Sequence, residues 1–201
     1  MNINAMKDMK GIMEFLRHIE QLKNTMRQCW TSEGKQESVA EHTWRLCMMA
    51  MLFEKQLPSV DITKLMKMCL IHDLAEIIDG DIPATMHVPD KSIKERKNLI
   101  ILMAPLPEDI QTEILALWDD YENATSEEAK VAKAMDKLET IMQHNQGINP
   151  DDFNFNFNLN YGKKYTDCVP VFTEVRKIVD KETKKSIKNQ SLVQVTERLA
   201  A

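Results

Sequence analysis

The sequence lacks the features that mark several common classes of protein. Its 201 residues include four cysteines but no Cys-x-x-Cys pair, so we expect reduced, packed thiols. No apolar run approaches the roughly 18 residues of a membrane span, and no signal peptide pattern is visible. The 31 acidic residues outnumber the 26 basic ones, which argues against a nucleic-acid groove. These absences predict a soluble, cytoplasmic protein that binds neither membrane nor nucleic acid.

Apolar residues recur at helical spacing along almost the whole chain. The pattern predicts a series of helices joined by short loops, with no sheet, and therefore an all-α, bundle-like domain. The first predicted helix ends near a turn at Arg27–Trp30. The second runs from a Ser38–Glu41 capping box to about Leu57, and the third runs from Asp61 to Gly80. The fourth predicted helix begins near Asp90, and the fifth covers Ile110–Tyr121. The sixth runs from a Thr125–Glu128 capping box to Gly147, and the seventh begins at Pro170.

One segment departs from helical spacing. From Phe153 to Asn160, apolar residues alternate with asparagine, which favours an extended segment or hairpin arm that contacts a second copy of the chain or covers a helix. A polar and aromatic low-complexity loop is the alternative.

The most informative feature is the pair His72-Asp73 inside the apolar helix predicted from Asp61. If that helix continues to Gly80, then His72, Asp73 and Glu76 all project from its buried stripe. An unpaired carboxylate buried there would cost several kcal/mol, so an ion-pair network or a bound cation must compensate it. A divalent metal is the simplest solution.

A metal requires further ligands, and two residues fit that need. His42 lies in the second turn of the helix that the Ser38–Glu41 box begins, and Asp136 lies on a stripe of small residues with Ala129 and Ala132. Taken singly, each has a structural alternative: His42 as a hydrogen-bonded histidine and Asp136 as an exposed helix aspartate.

In order, His42, His72-Asp73 and Asp136 reproduce the H…HD…D pattern of the HD-domain metal-dependent phosphohydrolases, and the chain resembles that superfamily. Flanking residues extend the resemblance to its small single-domain 5′-deoxynucleotidase branch. These are Glu76, Gly80-Asp81-Ile82-Pro83, Asp136-Lys137-Leu138-Glu139, and Arg27 with Trp30.

The resemblance implies an HD domain over residues 1–181, with its metal-ligand core at about 38–140, followed by a C-terminal tail or solvated helix at 182–201. It implies one divalent ion (Mn²⁺, Co²⁺, Fe²⁺, Zn²⁺ or Mg²⁺) held by His42, His72, Asp73 and Asp136. Metal-activated water would then remove the 5′-phosphate from deoxynucleoside 5′-monophosphates. A homodimer is the expected assembly.

The same resemblance gives roles to four further residues. Glu76 and Asp81 are the candidates for acid–base catalysis, and Asp81 also for substrate binding. Arg27 is expected to clamp the phosphate, and Trp30 to pack against the sugar or base. Structural alternatives are an ion pair for Glu76, a turn cap for Asp81, and a helix end with core packing for Arg27 and Trp30.

Two other functions remain open at this point. The first is HD-type hydrolysis of another nucleotide phosphoester, such as a nucleoside triphosphate or a cyclic nucleotide. The second is a metal-binding or nucleotide-binding module without turnover. The remaining histidines, His18, His87 and His144, fit no ligand pattern and are expected to be structural or exposed.

Overall fold

The computed structural model describes the backbone of residues 3–86 and 88–200 and the side chains of residues 5–86 and 88–192. His87, expected to be structural or exposed, lies outside the described residues. Most of the described chain is α-helical, which confirms the predicted all-α class. The helices are α1 (Ile3–His18), α2 (Val39–Phe53), α3 (Ile62–Ile71), α4 (Glu76–Asp79), α5 (Lys91–Met103), α6 (Glu108–Asn123), α7 (Glu127–Gln146), α8 (Lys163–Thr166) and α9 (Pro170–Ala200). None of the helices within the described part of the chain is long and apolar enough to cross a membrane.

A small two-stranded sheet replaces the predicted turn at Arg27–Trp30. Strands β1 (Met26–Trp30) and β2 (Gln36–Ser38) pair, and the Thr31 N–H donates to the Lys35 carbonyl at 2.7 Å in the connection. The predicted first helix is also too long, because α1 ends at His18 and a 3₁₀ turn covers Ile19–Lys23. Burial alternates along β1, a period of two that the sequence analysis did not detect.

The capping box at the start of α2 is confirmed. The Ser38 hydroxyl accepts the Glu41 N–H at 3.3 Å, and the Glu41 carboxylate accepts the Ser38 N–H at 2.8 Å. This reciprocal pair satisfies backbone donors at the first turn and fixes where the helix begins. It places His42 in the second turn, fully buried.

The helix that begins at Asp61 is shorter than predicted. Asp61 is its N-cap and accepts the Lys64 N–H at 3.1 Å, but α3 ends at Ile71. The following N–H groups of Leu74 and Glu76 bond to carbonyls three residues back, at 3.1 Å each, which tightens the chain into a turn. The prediction of one continuous helix through His72, Asp73 and Glu76 is therefore wrong. A short helix, α4, follows and ends at Gly80, whose φ is +80°.

The start of α7 also differs from the prediction. Its first-turn cap is Ser126, whose hydroxyl accepts the Ala129 N–H at 3.1 Å, and not Thr125. The Thr125 hydroxyl donates to the Asp120 carboxylate at 2.5 Å. The predicted end at Gly147 and the start of α9 at Pro170 are both confirmed.

The Phe/Asn segment is neither a strand nor a hairpin arm. Residues Phe155–Leu159 form a 3₁₀ turn, which begins where the Asn154 side chain accepts the Asn156 N–H at 3.1 Å. Arg176 of α9 donates to the carbonyls of Asn158 and Tyr161 at 2.6 and 2.7 Å. These bonds attach the segment to α9. Of the two predicted roles, contact with a second copy of the chain or cover of a helix, the structure therefore shows the second.

The chain divides into two compact units. The first comprises the chain up to Gln28 together with Glu37–Ala132, and the second comprises Cys29–Gln36 together with the chain from Lys133 onward. A buried apolar cluster forms the core of the first unit: Phe15, Leu22, Val39, Ile71, Leu74, Ala75, Leu99, Leu102, Met103, Leu106 and Trp118. Buried apolar residues of the second unit include Met135, Leu138, Ile141, Phe172 and Val179.

The predicted boundary after residue 181 falls inside α9, which continues to Ala200. The assignment of 182–201 as a tail or solvated helix stays a prediction.

Candidate metal centre and carboxylate cluster

Three predicted metal ligands meet in the first unit. The donor atoms of His42, His72 and Asp73 all lie within 4.8 Å of one another. One carboxylate oxygen, Asp73 Oδ2, is 3.0 Å from His72 Nε2 and 3.8 Å from His42 Nε2. The two imidazole rings are 5.6 Å apart between centroids. Two nitrogen ligands and one oxygen ligand therefore converge on one point, as a divalent transition metal requires.

The hydrogen bond on the other side of His72 identifies which nitrogen is free to bind a cation. His72 Nδ1 lies 2.9 Å from the Cys69 carbonyl, and because a carbonyl only accepts, Nδ1 carries the proton. In the neutral ring, Nε2 then carries a lone pair. It is buried and makes no hydrogen bond within the described residues. Lone pairs of Nε2 and Asp73 Oδ2 face each other at 3.0 Å, which is favourable when a cation or a proton lies between them.

Helix α6 holds the His72 turn in place. The Trp118 indole N–H donates to the His72 carbonyl at 3.1 Å, and the Tyr121 ring lies 5.0 Å from the His72 ring. Both aromatic side chains are buried. The turn between α3 and α4 is thus fixed from outside, so Asp73 keeps its orientation toward the histidines although it lies beyond the end of a helix.

Glu76 and Asp81 lie close enough to Asp73 for their charges to interact strongly. Burial, followed by the negative charges of Asp73 and Asp81, raises the pKa of Glu76 to about 10. Its Oε2 atom is buried and makes no hydrogen bond within the described residues. Burial also raises the pKa of Asp81, although the positive charge of Arg27 acts to lower it. A backbone hydrogen bond from Gln28 to Asp81 favours the ionised carboxylate.

A fourth carboxylate and two cations complete this part of the first unit. Asp73, Glu76, Asp81 and Glu95 are called the carboxylate cluster below. Burial raises the pKa of Glu95, and Lys91, 3.3 Å away, opposes the rise. Burial acts to lower the pKa of Lys91, but the charges of Glu95, Glu76 and Asp73 raise it overall. The cluster therefore carries more negative charge than Lys91 and Arg27 can balance.

Arg27 is buried and already engaged. Its Nη1 donates to Glu37 Oε2 at 2.7 Å, and Arg45 Nη2 lies 3.7 Å from the other Glu37 oxygen. This pairing fixes the guanidinium, whose positive charge also acts on Glu76 and Asp81. The predicted phosphate clamp thus faces the same group of acids as the predicted proton donors.

Asp136 and Trp30 belong to the second unit. The Asp136 side chain is 8% exposed and accepts a hydrogen bond from Lys137 Nζ at 2.7 Å. Burial acts to lower the pKa of Lys137, but the charges and hydrogen bonds of Asp136 and Tyr161 together raise it overall. Trp30 is half-buried, and its carbonyl accepts from Gln143 Nε2 at 2.5 Å. Their predicted roles in metal and substrate binding stay predictions.

Four residues around the metal centre were not predicted from the sequence to belong to it: Lys91, Glu95, Trp118 and Tyr121. Lys91 and Glu95 stand four residues apart on a helix that opens after Asp90, a spacing typical of an ion pair. That signal predicts the pair but not its position beside Asp73. Trp118 and Tyr121 carry the spacing of core residues and nothing that marks a role near a metal.

The other described histidines have no place in the metal centre. His18 is exposed. His144 is buried in the second unit, where its Nδ1 donates to Asn158 Oδ1 at 2.9 Å and its Nε2 lies 3.3 Å from Cys29 Sγ.

Comparison with known proteins agrees with this geometry. The model of the HD domain family matches residues 19–176. Mouse 5′-deoxynucleotidase HDDC2 is 36% identical over 137 residues, which cover 66% of this chain and 68% of the mouse protein. The 5′-deoxynucleotidase hdd1 of Schizosaccharomyces pombe is 35% identical over 149 residues, covering 70% of this chain and 74% of the yeast protein.

A solved structure has a similar fold over most of the chain. It is described as a predicted metal-dependent phosphohydrolase from Magnetospirillum magnetotacticum. The match has a TM-score of 0.76 and 27% sequence identity, and it covers 89% of this chain and 94% of that one. The resemblance inferred from the H…HD…D pattern is thereby confirmed.

Proposed function

Because the chain belongs to the HD-domain family, we propose that it is a metal-dependent phosphohydrolase that removes the 5′-phosphate from deoxynucleoside 5′-monophosphates. The substrate class is supported by the names of its relatives in mouse and fission yeast, both 5′-deoxynucleotidases. The reaction type is supported by the metal-dependent phosphohydrolase of similar fold.

The observation that carries the proposal is the approach of His72 Nε2 to Asp73 Oδ2, 3.0 Å apart with His42 Nε2 nearby. These three residues would hold one divalent ion, and Asp136 stays the predicted fourth ligand on the strength of the H…HD…D order. Imidazole and carboxylate donors suit Mn²⁺, Co²⁺, Fe²⁺, Zn²⁺ or Mg²⁺. Such an ion supplies Lewis acidity, which activates water and polarises the phosphoryl group.

The departing 5′ oxygen requires a proton, and we propose that Glu76 provides it. Glu76 is buried beside Asp73, and its Oε2 is available because it makes no hydrogen bond within the described residues. Asp81 accepts the Gln28 backbone N–H, so it is better suited to orienting the substrate. We expect Glu76→Gln to lower kcat by about 10²–10⁴-fold, whereas Asp81→Asn should act mainly on KM.

Charge explains why a cation and two basic residues are needed. The carboxylate cluster alone would repel a phosphate dianion. A divalent ion held near Asp73 would offset the negative charge there, and Arg27 and Lys91 already act against the negative charge around Glu76. We propose that both basic residues contact the phosphate and that Trp30 packs against the sugar or base.

The first experiment is phosphate release from a panel of nucleoside mono- and triphosphates. Metal-stripped protein is resupplied with each candidate ion, and Asp73→Ala is compared with Asp109→Ala, an exposed aspartate in α6. Metal-dependent release from deoxynucleoside monophosphates, lost only in Asp73→Ala, would support the proposal. Pyrophosphate or triphosphate among the products would replace the substrate class. Metal binding without any product would replace catalysis by a binding function.

The assembly and location of the protein are two further proposals. We infer a cytoplasmic homodimer that binds no nucleic acid, because the chain carries a net charge of −5 and exposes apolar residues at helical spacing on α1: Met6, Met9, Met13 and Leu16. Light scattering on the purified protein tests the dimer, and a monomer mass across a concentration series would contradict it.

A further inference from the structure

We propose that the second unit carries a further binding site, for a phosphorylated small molecule of nucleotide size, in a cavity lined by Lys137 and residues 160–165. The cavity has a volume of about 450 Å³, which is within the range of small-molecule sites and much larger than a phosphate ion needs. The proposed site binds without turnover; its lining residue Lys137 is bonded to Asp136, the predicted fourth metal ligand, so the closing experiment separates binding here from turnover.

Lysine side chains gather at this cavity although the chain as a whole is acidic. Lys137, Lys163 and Lys164 line it. A fourth, the buried Lys133, lies 5.7 Å from the centroid of the Tyr165 ring, which Lys164 approaches to 4.7 Å. The net charge of the chain is −5, so this local excess of positive charge is not a consequence of composition.

The charge of Lys137 is compensated within the protein, but the two outer lysines are exposed. Lys137 Nζ donates to Asp136 Oδ2 at 2.7 Å. Lys163 and Lys164 are exposed and stand on the short helix α8. A cation over a tyrosine ring gains little at an exposed site. A phosphate group would interact with both ammonium groups through charge-assisted hydrogen bonds, which are considerably stronger.

The aromatic residues of the cavity favour recognition through the phosphate over stacking of a base. The Tyr161 ring is stacked against Phe157, with centroids 4.8 Å apart, and Lys137 Nζ lies 5.2 Å from its centroid. These two contacts leave less of the ring surface for stacking of a base. Tyr165 is approached by two lysines. The ligand would place its phosphate at Lys163 and Lys164, and the rest of the molecule would fill the remaining volume against ring edges.

Gly162 shows that the wall of this cavity is closely fitted. Its φ is +70°, and a Cβ at this position would lie 2.3 Å from Lys137 Cβ. Only glycine permits the 160–165 segment to lie directly against Lys137. The lysines and tyrosines of that segment are thus held at the cavity by backbone packing.

The test measures binding of adenosine 5′-monophosphate by calorimetry to the full-length Asp73→Ala protein, in which turnover is prevented. In this background, Lys163→Glu/Lys164→Glu is compared with Lys184→Glu/Lys185→Glu, which makes the same charge change at adjacent exposed positions of α9. We expect the first pair to weaken binding at least about tenfold and the control pair to leave it within about twofold. Uncharged adenosine should bind to neither.

Equal affinity in the two charge-reversed proteins would overturn the proposal, as would an absence of binding to the parent. Lys163→Gln/Lys164→Gln, which only removes charge, repeats the comparison if the reversal perturbs folding. In the metal-loaded protein with Asp73 intact, Lys163→Glu/Lys164→Glu should retain the kcat of phosphate release. A parallel loss of kcat would assign these lysines to the reaction and would also overturn the proposal.

Discussion

Glu76 is the residue at which burial and charge oppose ionisation most clearly. It lies in the first unit beside Asp73 and Asp81, and both negative charges add to the effect of burial on its pKa. Without a cation, the native protein therefore keeps a proton on Glu76 at neutral pH. A divalent ion at His42, His72 and Asp73 would oppose this rise, so metal binding and the pKa of Glu76 are linked.

This linkage predicts the pH dependence of stability in the metal-free protein. The pKa of Glu76 is raised from 4.5 to about 10, so between those values the native state holds a proton that the unfolded state has lost. The free energy of unfolding must then fall as pH rises, by at most about 1.4 kcal/mol per pH unit. We expect urea unfolding to show a smaller fall for Glu76→Gln, which cannot ionise, than for wild type between about pH 5.5 and pH 8.5.

Glu108→Gln, at an exposed position in α6, is the matched control and should retain the wild-type slope. Identical slopes in wild type and Glu76→Gln would show that this carboxyl does not hold the proton.

Lys91 provides a second prediction at the level of single residues. Its charge interacts with Asp73, Glu76 and Glu95, and we propose that it contacts the phosphate of the substrate. Lys91→Met should therefore raise KM by about tenfold or more, the effect of losing one charge-assisted hydrogen bond, with a smaller change in kcat. Steady-state phosphate release measures both constants. Lys94→Met, one helical turn away and paired with Asp79 at 3.2 Å, should leave KM unchanged; an equal rise would point to a general effect of charge.

Some of these residues can be predicted from the sequence and others cannot, for a physical reason. His42, His72 and Asp73 are polar residues in strongly apolar segments, and that contrast is visible without a structure. Lys91 and Glu95 lie on a helix with ordinary surface charge. Their importance arises from where α5 meets the turn after α3, a tertiary relation that no local pattern encodes.

At the level of elements, the start of α2 positions His42. The Ser38–Glu41 box fixes the first turn through two reciprocal hydrogen bonds, one of which needs the Ser38 hydroxyl. Ser38→Ala removes an N-cap acceptor and should lower the free energy of unfolding by about 1 kcal/mol. Chemical denaturation measures the change, and Ser32→Ala, at an exposed position between the two strands, should change little. If both variants were equally stable, the cap would not limit the stability of α2.

Capping and periodicity predicted most helices well, and the failures share a cause. At the break after Ile71, the N–H groups of Leu74 and Glu76 bond to carbonyls three residues back, whereas an α-helix uses carbonyls four residues back. Apolar spacing continues across the break, so the pattern indicated one helix. The segment with alternating phenylalanine and asparagine failed in the opposite way. Its period of two indicated an extended segment, but the Asn154 side chain bonds to the nearby Asn156 N–H and favours a 3₁₀ turn.

At the level of the whole molecule, bound metal should contribute to stability as well as to chemistry. A ligand that binds only the native state adds about 2.7 kcal/mol at a hundredfold excess over Kd. We therefore expect a divalent ion to raise the Tm of the wild-type protein and to have no such effect on Asp73→Ala. Scanning calorimetry with and without added ion measures the difference. An equal rise in both proteins would place the stabilising ion elsewhere.

Contacts within the second unit bear on the predicted end of the domain at residue 181. Thr183 of α9 is fully buried, and its hydroxyl donates to Asn145 Oδ1 at 3.0 Å. Gln190 Nε2 donates to the carbonyls of Asp151 and Phe153 at 3.0 and 2.9 Å. Removing residues 182–201 would take away these partners, and each lost hydrogen bond costs about 0.5–1.5 kcal/mol.

We therefore expect a chain ending at Lys181 to unfold at a lower urea concentration than the full chain. A chain ending at Ser191 keeps Thr183 and Gln190, so it should retain nearly the full stability. Equal stability of all three chains would support the boundary that the sequence predicts, with 182–201 as a separate tail. A loss confined to the shorter chain would instead extend the folded domain beyond residue 181, because Thr183, Gln190 or both would then contribute to the stability of the second unit.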